Sequence, residues 1–162
     1  MRKITNYTLQ KASEHIFYEI WMLYNTTIIL RTTTNQLSKN VLLESFAIHT
    51  RNLFDFFYPK KHFNSSDILV TDYILSKKIY NKQKTKKIVL KYLVRKADKQ
   101  IAHLTYTRNK YHQKIKGWYF KDISDKFKPT VNAFFNNLSE NRKKWSNFER
   151  LKIEVINQFH KI

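Results

Sequence analysis

Residues 6–31 read NYTLQKASEHIFYEIWMLYNTTIILR. Residues suited to a core recur here every three or four positions, which is the spacing of one face of an α-helix. The face consists of Leu9, Ile16, Ile20, Leu23, Thr27 and Leu30. The polar run at 32–35, Thr-Thr-Thr-Asn, then breaks the pattern and offers helix caps. The stretch therefore predicts one long helix that packs a single side against a core.

Helical spacing continues along the rest of the chain. The further predicted helices cover residues 35–58, 67–75, 82–109, 121–138 and a last segment that begins at 139. In the 82–109 helix, the predicted buried stripe is Ile88, Val89, Leu93, Ala97, Ile101 and Leu104. Pro129 lies inside the next pattern and predicts a kink or a late start there. We expect an all-α fold, a single bundle of about five helices over residues 1–162.

The composition removes several classes of protein. The chain contains one glycine, two prolines and no cysteine. So few chain breakers argue against β-sandwiches, barrels and glycine-rich phosphate loops. The lack of cysteine excludes disulfides, thiol catalysis and thiolate zinc sites. The most apolar stretch, residues 16–30, is too short and too polar to span a bilayer, so we expect a cytoplasmic protein without a membrane partner.

The charge points to a polyanionic partner. Lys and Arg number 31 against 12 acidic residues, a formal net charge of +19. Residues 77–121 contain 15 basic residues and one acid, Asp98. Aromatic rings that could stack on unpaired bases interleave this basic segment: Tyr80, Tyr92, Tyr106, Tyr111, Trp118 and Tyr119. The pattern favours nucleic acid, RNA above all, although a merely basic surface or a protein partner remains an alternative.

The candidate contacts to nucleic acid come from this basic segment. They are Lys82, Lys84, Lys86, Lys87, Lys91, Arg95, Lys96, Lys99, Tyr106 and Lys110.

Polar residues also interrupt the apolar pattern of the second helix. Arg51 and Asp55 are spaced for an ion pair across one helical turn. His49 lies on the apolar stripe, about 160° around the helix from Arg51. That position is typical of a hydrogen-bonded core histidine. Because His49 and Arg51 lie on different sides of the helix, the two could serve one site only at a junction between helices.

His103 is the second histidine of interest, because it flanks the apolar stripe of the basic helix. Neighbouring cations favour its neutral form, which could accept a proton from a ribose 2′-hydroxyl. A basic side chain such as Arg108 could stabilise charge on the scissile phosphate. The candidate catalytic residues are Glu44, His49, Arg51, His103 and Arg108, with no cofactor or metal expected. A metal site would have to use Glu44, His49, Asp72 and His103, without the helical pair of histidines typical of such sites.

A resemblance sharpens this interpretation. Asp98-Lys99-Gln100-Ile101-Ala102-His103 resembles the histidine motif of HEPN domains, and residues 41–108 are similar to small bacterial helical proteins. The resemblance implies an all-α bundle, often dimeric, that acts as a metal-independent RNase in toxin–antitoxin or phage-defence systems. The motif's arginine is missing at the corresponding position, Ala97. The resemblance therefore implies either that Arg51 or Arg108 takes the place of this arginine, or that the site is inactive.

Two other functions remain open from the sequence. The first is a non-enzymatic nucleic-acid-binding protein, which rests on the charge. The second is a protein–protein interaction module, either a homodimer or a complex with a cognate protein. In that module a polar network would fix the helix register, built from Glu44, His49, Arg51, Asp55 and His103.

Overall fold

The structure, a computed structural model, describes residues 4–60, 62–97 and 119–159, with the backbone alone at 93–97. The described part is all-α and contains no strand. Its α-helices are α1 (Asn6–Thr32), α2 (Gln36–Phe57), α3 (Lys77–Gln83), α4 (Lys87–Ala97), α5 (Phe120–Asn136), α6 (Glu140–Lys143) and α7 (Ser146–Arg150). In this part of the chain, no helix is both long and apolar enough to cross a membrane.

The first two helices agree closely with the sequence prediction. The Thr5 side chain caps α1 by accepting from the Thr8 amide, and the Asn35 side chain caps α2 by accepting from Ser38. α2 ends at Phe57, immediately ahead of the Tyr58–Pro59 pair, because the residue before a proline disfavours the helical conformation. The two helices pack against each other, and the core side of α1 follows the predicted stripe.

α5 supplies the opposite wall of the core. Phe127 and Phe134 are fully buried, and the Phe134 ring lies 5.9 Å from the Phe57 ring of α2. The helix begins at Phe120 and continues through Pro129, so the expected late start is wrong. Pro129 is exposed, which leaves the Asp125 carbonyl that it cannot pair with accessible to water.

The middle of the chain differs from the sequence prediction. Within 67–75 only a short 3₁₀ turn forms, at Val70–Asp72. α3 follows it with Ser76 as its N-cap, and a break at 84–86 separates α3 from α4. The predicted apolar stripe is wrong at its start, because Ile88 and Val89 are exposed and Leu90, which the stripe left out, is fully buried. The side chains of its other members, Leu93, Ala97, Ile101 and Leu104, lie outside the described part. The part of the predicted helix from 98 to 109 lies outside the described residues.

The last helical segment is interrupted as well. Ser139 caps α6 as its spacing predicts, but the helix stops at Lys143 and restarts at Ser146. It then continues as a π turn, Leu151–Val155, and a 3₁₀ turn, Ile156–Gln158. One core cluster contains buried residues from α1 to α5, from α7 and from the π turn.

Candidate nucleic-acid interface

The break between α3 and α4 is held in place by partly buried polar contacts. Thr85, at its centre, donates from its amide to the Thr130 hydroxyl at 3.2 Å and from its own hydroxyl to the Lys126 carbonyl at 2.6 Å. The Tyr58 hydroxyl donates to the Thr85 carbonyl at 2.5 Å. These bonds fasten the break to α5 and to the end of α2, so the lysines on either side of Thr85 project from a fixed backbone.

A concave site of about 210 Å³, which we call the lysine pocket, lies where this break meets the end of α2. It is lined by Phe57, Tyr58, Pro59, Val70, Thr71, Lys77, Tyr80, Asn81, Lys84 and Lys87. The buried members of this set, Phe57, Tyr58, Val70 and Tyr80, close its floor. Its charged side chains are those of three lysines, and the Asn81 amide lies beside them. None of the described residues that line the pocket is acidic.

Lys84 and Lys87 lie against the carbonyl end of α2. The Lys84 ammonium donates to the Phe57 carbonyl at 3.4 Å, and the Lys87 ammonium donates to the Tyr58 carbonyl at 3.2 Å. Cations are stabilised at a helix C-terminus, where the last carbonyls have no helical partner. The Lys84 ammonium also lies over two aromatic rings, 4.5 Å from the centre of Tyr58 and 4.6 Å from that of Tyr80.

Lys84 is held in an unusual state for a lysine. Partial burial, followed by repulsion from the nearby ammonium groups of Lys87 and Lys77, lowers the pKa of Lys84 to about 8. A negative charge in the lysine pocket would relieve that repulsion. The pocket is therefore electrostatically prepared for an anion.

The exposed side of α4 continues the basic surface beyond the pocket. Lys87 and Lys91 follow each other at one-turn spacing, and Ile88 and Tyr92 form a parallel row beside them. Tyr92 is 72% exposed, so its ring is accessible to a partner. We call these four residues the α4 face. It combines ammonium groups with an aromatic ring, the pairing used to bind single strands.

Acidic residues are lacking around this surface. Residues 73–97 contain nine basic side chains and no acid. In the described part of the chain, no carboxylate forms an ion pair with a lysine between 77 and 91. Several acids elsewhere pair with nearby cations: Asp122 and Asp125 with lysines of α5, and Glu154 with Arg150. Among the described residues, ion pairs therefore do not neutralise the lysines of this surface.

The predicted nucleic-acid contacts fall into three groups. Lys82, Lys86, Lys87 and Lys91 are exposed, and Lys84 is partly buried. Arg95 and Lys96 lie on α4, which is described there by its backbone alone. Lys99, Tyr106 and Lys110 lie outside the described residues. One expectation about the rings is wrong, since Tyr80 is 1% exposed and forms the pocket floor, where no base can stack on it.

The candidate catalytic residues are not brought together within the described part. His103 and Arg108 lie outside it. His49 is 7% exposed and its Nδ1 lies 2.7 Å from Glu19 Oε2 of α1, as expected for a hydrogen-bonded core histidine. Glu44 and Arg51 lie on the exposed side of α2, so they do not share a site with the His49 ring. The Asp55 carboxylate contacts Lys60, at 3.5 Å.

Sequence reasoning missed two residues that matter here. Glu19 accepts from both His49 and the Asn52 amide, although it belongs to an apolar helical stretch. Burying a carboxylate in an apolar stretch costs free energy unless the carboxylate is paired. The position of Glu19 in the sequence was therefore the signal that it has a polar partner. Lys77 was counted with the basic segment but not selected as a contact. Nothing in local spacing indicates that it lines the same pocket as Lys84 and Lys87.

A larger cleft, about 430 Å³, lies between α1, the end of α2 and the loop that follows α2. Its charged and titratable lining residues are mixed: His15, Glu19, Asp55, Lys60, His62 and Asp67. Mixed charges give no consistent attraction for a polyanion, so we favour the smaller lysine pocket. Among the described residues, no group of three or more His, Asp or Glu is placed to hold a metal ion.

Comparison with known proteins adds no relationship. No protein-family model matches the chain, and neither curated proteins nor solved structures give a match.

Proposed function

We propose that this protein binds single-stranded nucleic acid, with RNA as the favoured ligand, through the lysine pocket and the α4 face. The observation that carries the proposal is the exposed row of Lys87 and Lys91 beside the Tyr92 ring, in a segment without acids. Ammonium groups neutralise phosphates and release counterions, while an exposed ring stacks on unpaired bases.

Rigid support favours this surface over a generally basic protein exterior. The bonds of Thr85 to α5 and of Tyr58 to Thr85 fix the backbone from which the lysines project. Leu90 anchors α4 in the core and leaves the opposite side of that helix to solvent. A backbone that is already ordered loses less conformational entropy when its side chains meet the ligand.

The endoribonuclease activity implied by the HEPN resemblance would add cleavage of the bound RNA. It depends on His103 and Arg108, which lie outside the described residues. The lysine pocket and the α4 face would hold the strand. The histidine motif comes after these residues in the protein sequence. The same resemblance implies a place in bacterial defence or toxin–antitoxin function.

Fluorescence anisotropy with a short labelled single-stranded RNA, measured over a series of salt concentrations, tests the binding function. We expect steep weakening with salt, and the Lys87→Gln/Lys91→Gln double variant should reduce the salt slope by about 1.4, which is twice the single-strand value of about 0.7 per phosphate. Tyr92→Ala should weaken binding about tenfold without changing that slope, because stacking carries no ionic contribution.

A matched control separates this surface from net charge. Lys11→Gln/Lys144→Gln removes the same charge from exposed positions on α1 and after α6. If the two double variants weaken binding equally, the effect is one of total charge and the assigned surface is wrong. Affinity that does not change with salt would overturn the proposed function itself.

A further inference from the structure

We propose that the lysine pocket binds the terminal phosphate monoester of a nucleic-acid strand, so that the protein recognises strand ends. This inference rests on the proposed function and deepens it. It assigns the pocket to the chain end and leaves the α4 face to the nucleotides that follow.

The pocket offers several unused donors to one anion. An ammonium group has three N–H donors. Lys84 and Lys87 each give one donor to a carbonyl at the end of α2, which leaves two on each. Lys77 lies exposed at the start of α3, and the Asn81 amide follows it one turn later. These groups line a single cavity, so they can converge on one phosphate.

The charge of the pocket favours a chain end over an internal phosphate. A phosphate monoester carries a charge of about −1.5 to −2 at pH 7, and a phosphodiester carries only one negative charge. Three clustered lysines without a carboxylate suit the higher charge better.

Binding should couple to protonation of Lys84. The groups that face its ammonium are the Phe57 carbonyl at the end of α2, the Tyr58 ring that follows it, the Tyr80 ring of α3, and the ammonium groups of Lys77 and Lys87. A dianion placed among them favours the charged form of Lys84 and raises its pKa from about 8. The complex therefore takes up a proton, and its affinity falls as the pH rises through 8.

The test compares three RNA strands of one sequence in the same anisotropy assay. One carries a 5′-phosphate, one a 3′-phosphate, and one has hydroxyls at both ends. We expect one of the phosphorylated strands to bind about tenfold more tightly than the hydroxyl strand, through the added charge-assisted contacts. The preferred strand identifies which end enters the pocket.

Variants assign this preference to the pocket. Lys77→Gln and Lys84→Gln should each abolish it, whereas Lys78→Gln removes an equal charge from an exposed position of α3 outside the pocket and should retain it. Lys77 is exposed, so its variant keeps the test valid even if Lys84→Gln fails to fold.

The failures of the two proposals are distinguishable. Equal binding of all three strands, with salt dependence retained, overturns the pocket assignment and leaves the proposed function in place. Loss of the preference in Lys78→Gln to the same extent as in Lys77→Gln also overturns the pocket assignment. If none of the strands binds, both proposals fail.

Discussion

The Tyr58 side chain and Lys84 form one unit at the end of α2. The Lys84 ammonium lies 4.5 Å from the centre of the Tyr58 ring, and the hydroxyl of that ring donates to the carbonyl of Thr85, the next residue. One tyrosine thus contacts the cation and also fixes the backbone beside it. The lysine pocket consequently depends on core packing as well as on the charge of its segment.

Lys84 should titrate well below the ordinary lysine pKa of 10.5. Its pKa is lowered to about 8 by partial burial and then by repulsion from Lys87 and Lys77. In an NMR titration of the lysine ammonium signals, one resonance with a midpoint near pH 8 should disappear in Lys84→Gln. A Lys84 midpoint above pH 10 would contradict the described burial and clustering.

The same shift predicts how stability depends on pH. The folded pKa of Lys84 is lower than its unfolded value of about 10.5, so the unfolded chain binds more protons between the two values. Relative to Lys84→Gln, the wild type should gain stability as the pH rises through this window. Urea unfolding of both proteins at about pH 8 and about pH 10.5, the two ends of this window, measures the difference.

Thr130→Val should destabilise the fold and disturb the break between α3 and α4. The Thr130 hydroxyl is fully buried, accepts from the Thr85 amide and bonds with the Tyr58 hydroxyl at 3.0 Å. Leaving the Thr85 amide without its acceptor should lower the free energy of unfolding by about 1–3 kcal/mol. Thr34→Val, at an exposed position, is the control and should change it by less than about 0.5 kcal/mol in urea unfolding.

Glu19→Ala should be more costly than Glu44→Ala. Removing Glu19 leaves the buried His49 ring and the Asn52 amide without their acceptor, which should cost about 1–3 kcal/mol in the free energy of unfolding. Glu44 is exposed on α2, where a substitution should cost less than about 0.5 kcal/mol. Equal denaturation midpoints for the two variants would show that the Glu19–His49 contact contributes nothing to stability.

The orientation of α4 can be checked with a pair of substitutions. Leu90 is fully buried and Ile88 is 71% exposed. Leu90→Ala should lower the free energy of unfolding by about 2–5 kcal/mol, the usual cost of emptying a core position. Ile88→Ala should leave it almost unchanged. The reverse order in thermal or urea unfolding would place the opposite side of α4 in the core.

The endoribonuclease prediction is tested with labelled RNA incubated in EDTA and run on a denaturing gel. If the HEPN resemblance extends to activity, the wild type should cleave the strand and a folded His103→Ala variant should not. Cleavage by both proteins at one rate would remove His103 from the mechanism. Intact RNA in both lanes, with binding retained, would favour the non-enzymatic alternative.

Local patterns predicted much of the fold but less of the candidate site. The bounds of α1 and α2 follow from apolar spacing and from the caps at Thr5 and Asn35, which act within one turn. The stripe of α4 was misplaced because Ile88, Val89 and Leu90 are consecutive apolar residues, and several faces fit the helical period equally well. Packing against α2 and α5 selects Leu90.

The sequence by itself determined the all-α class, the long first helices and the acid-free basic segment, since these depend on composition and on residues a few positions apart. Tertiary structure alone decided that Lys77, Lys84 and Lys87 line one pocket with the end of α2, and that Glu19 meets His49. The Phe57 carbonyl and the Lys84 ammonium are distant in the chain, and only folding brings them to 3.4 Å. The lowered pKa of Lys84 follows from the same cause, because burial depends on what packs around a side chain and not on its neighbours in sequence.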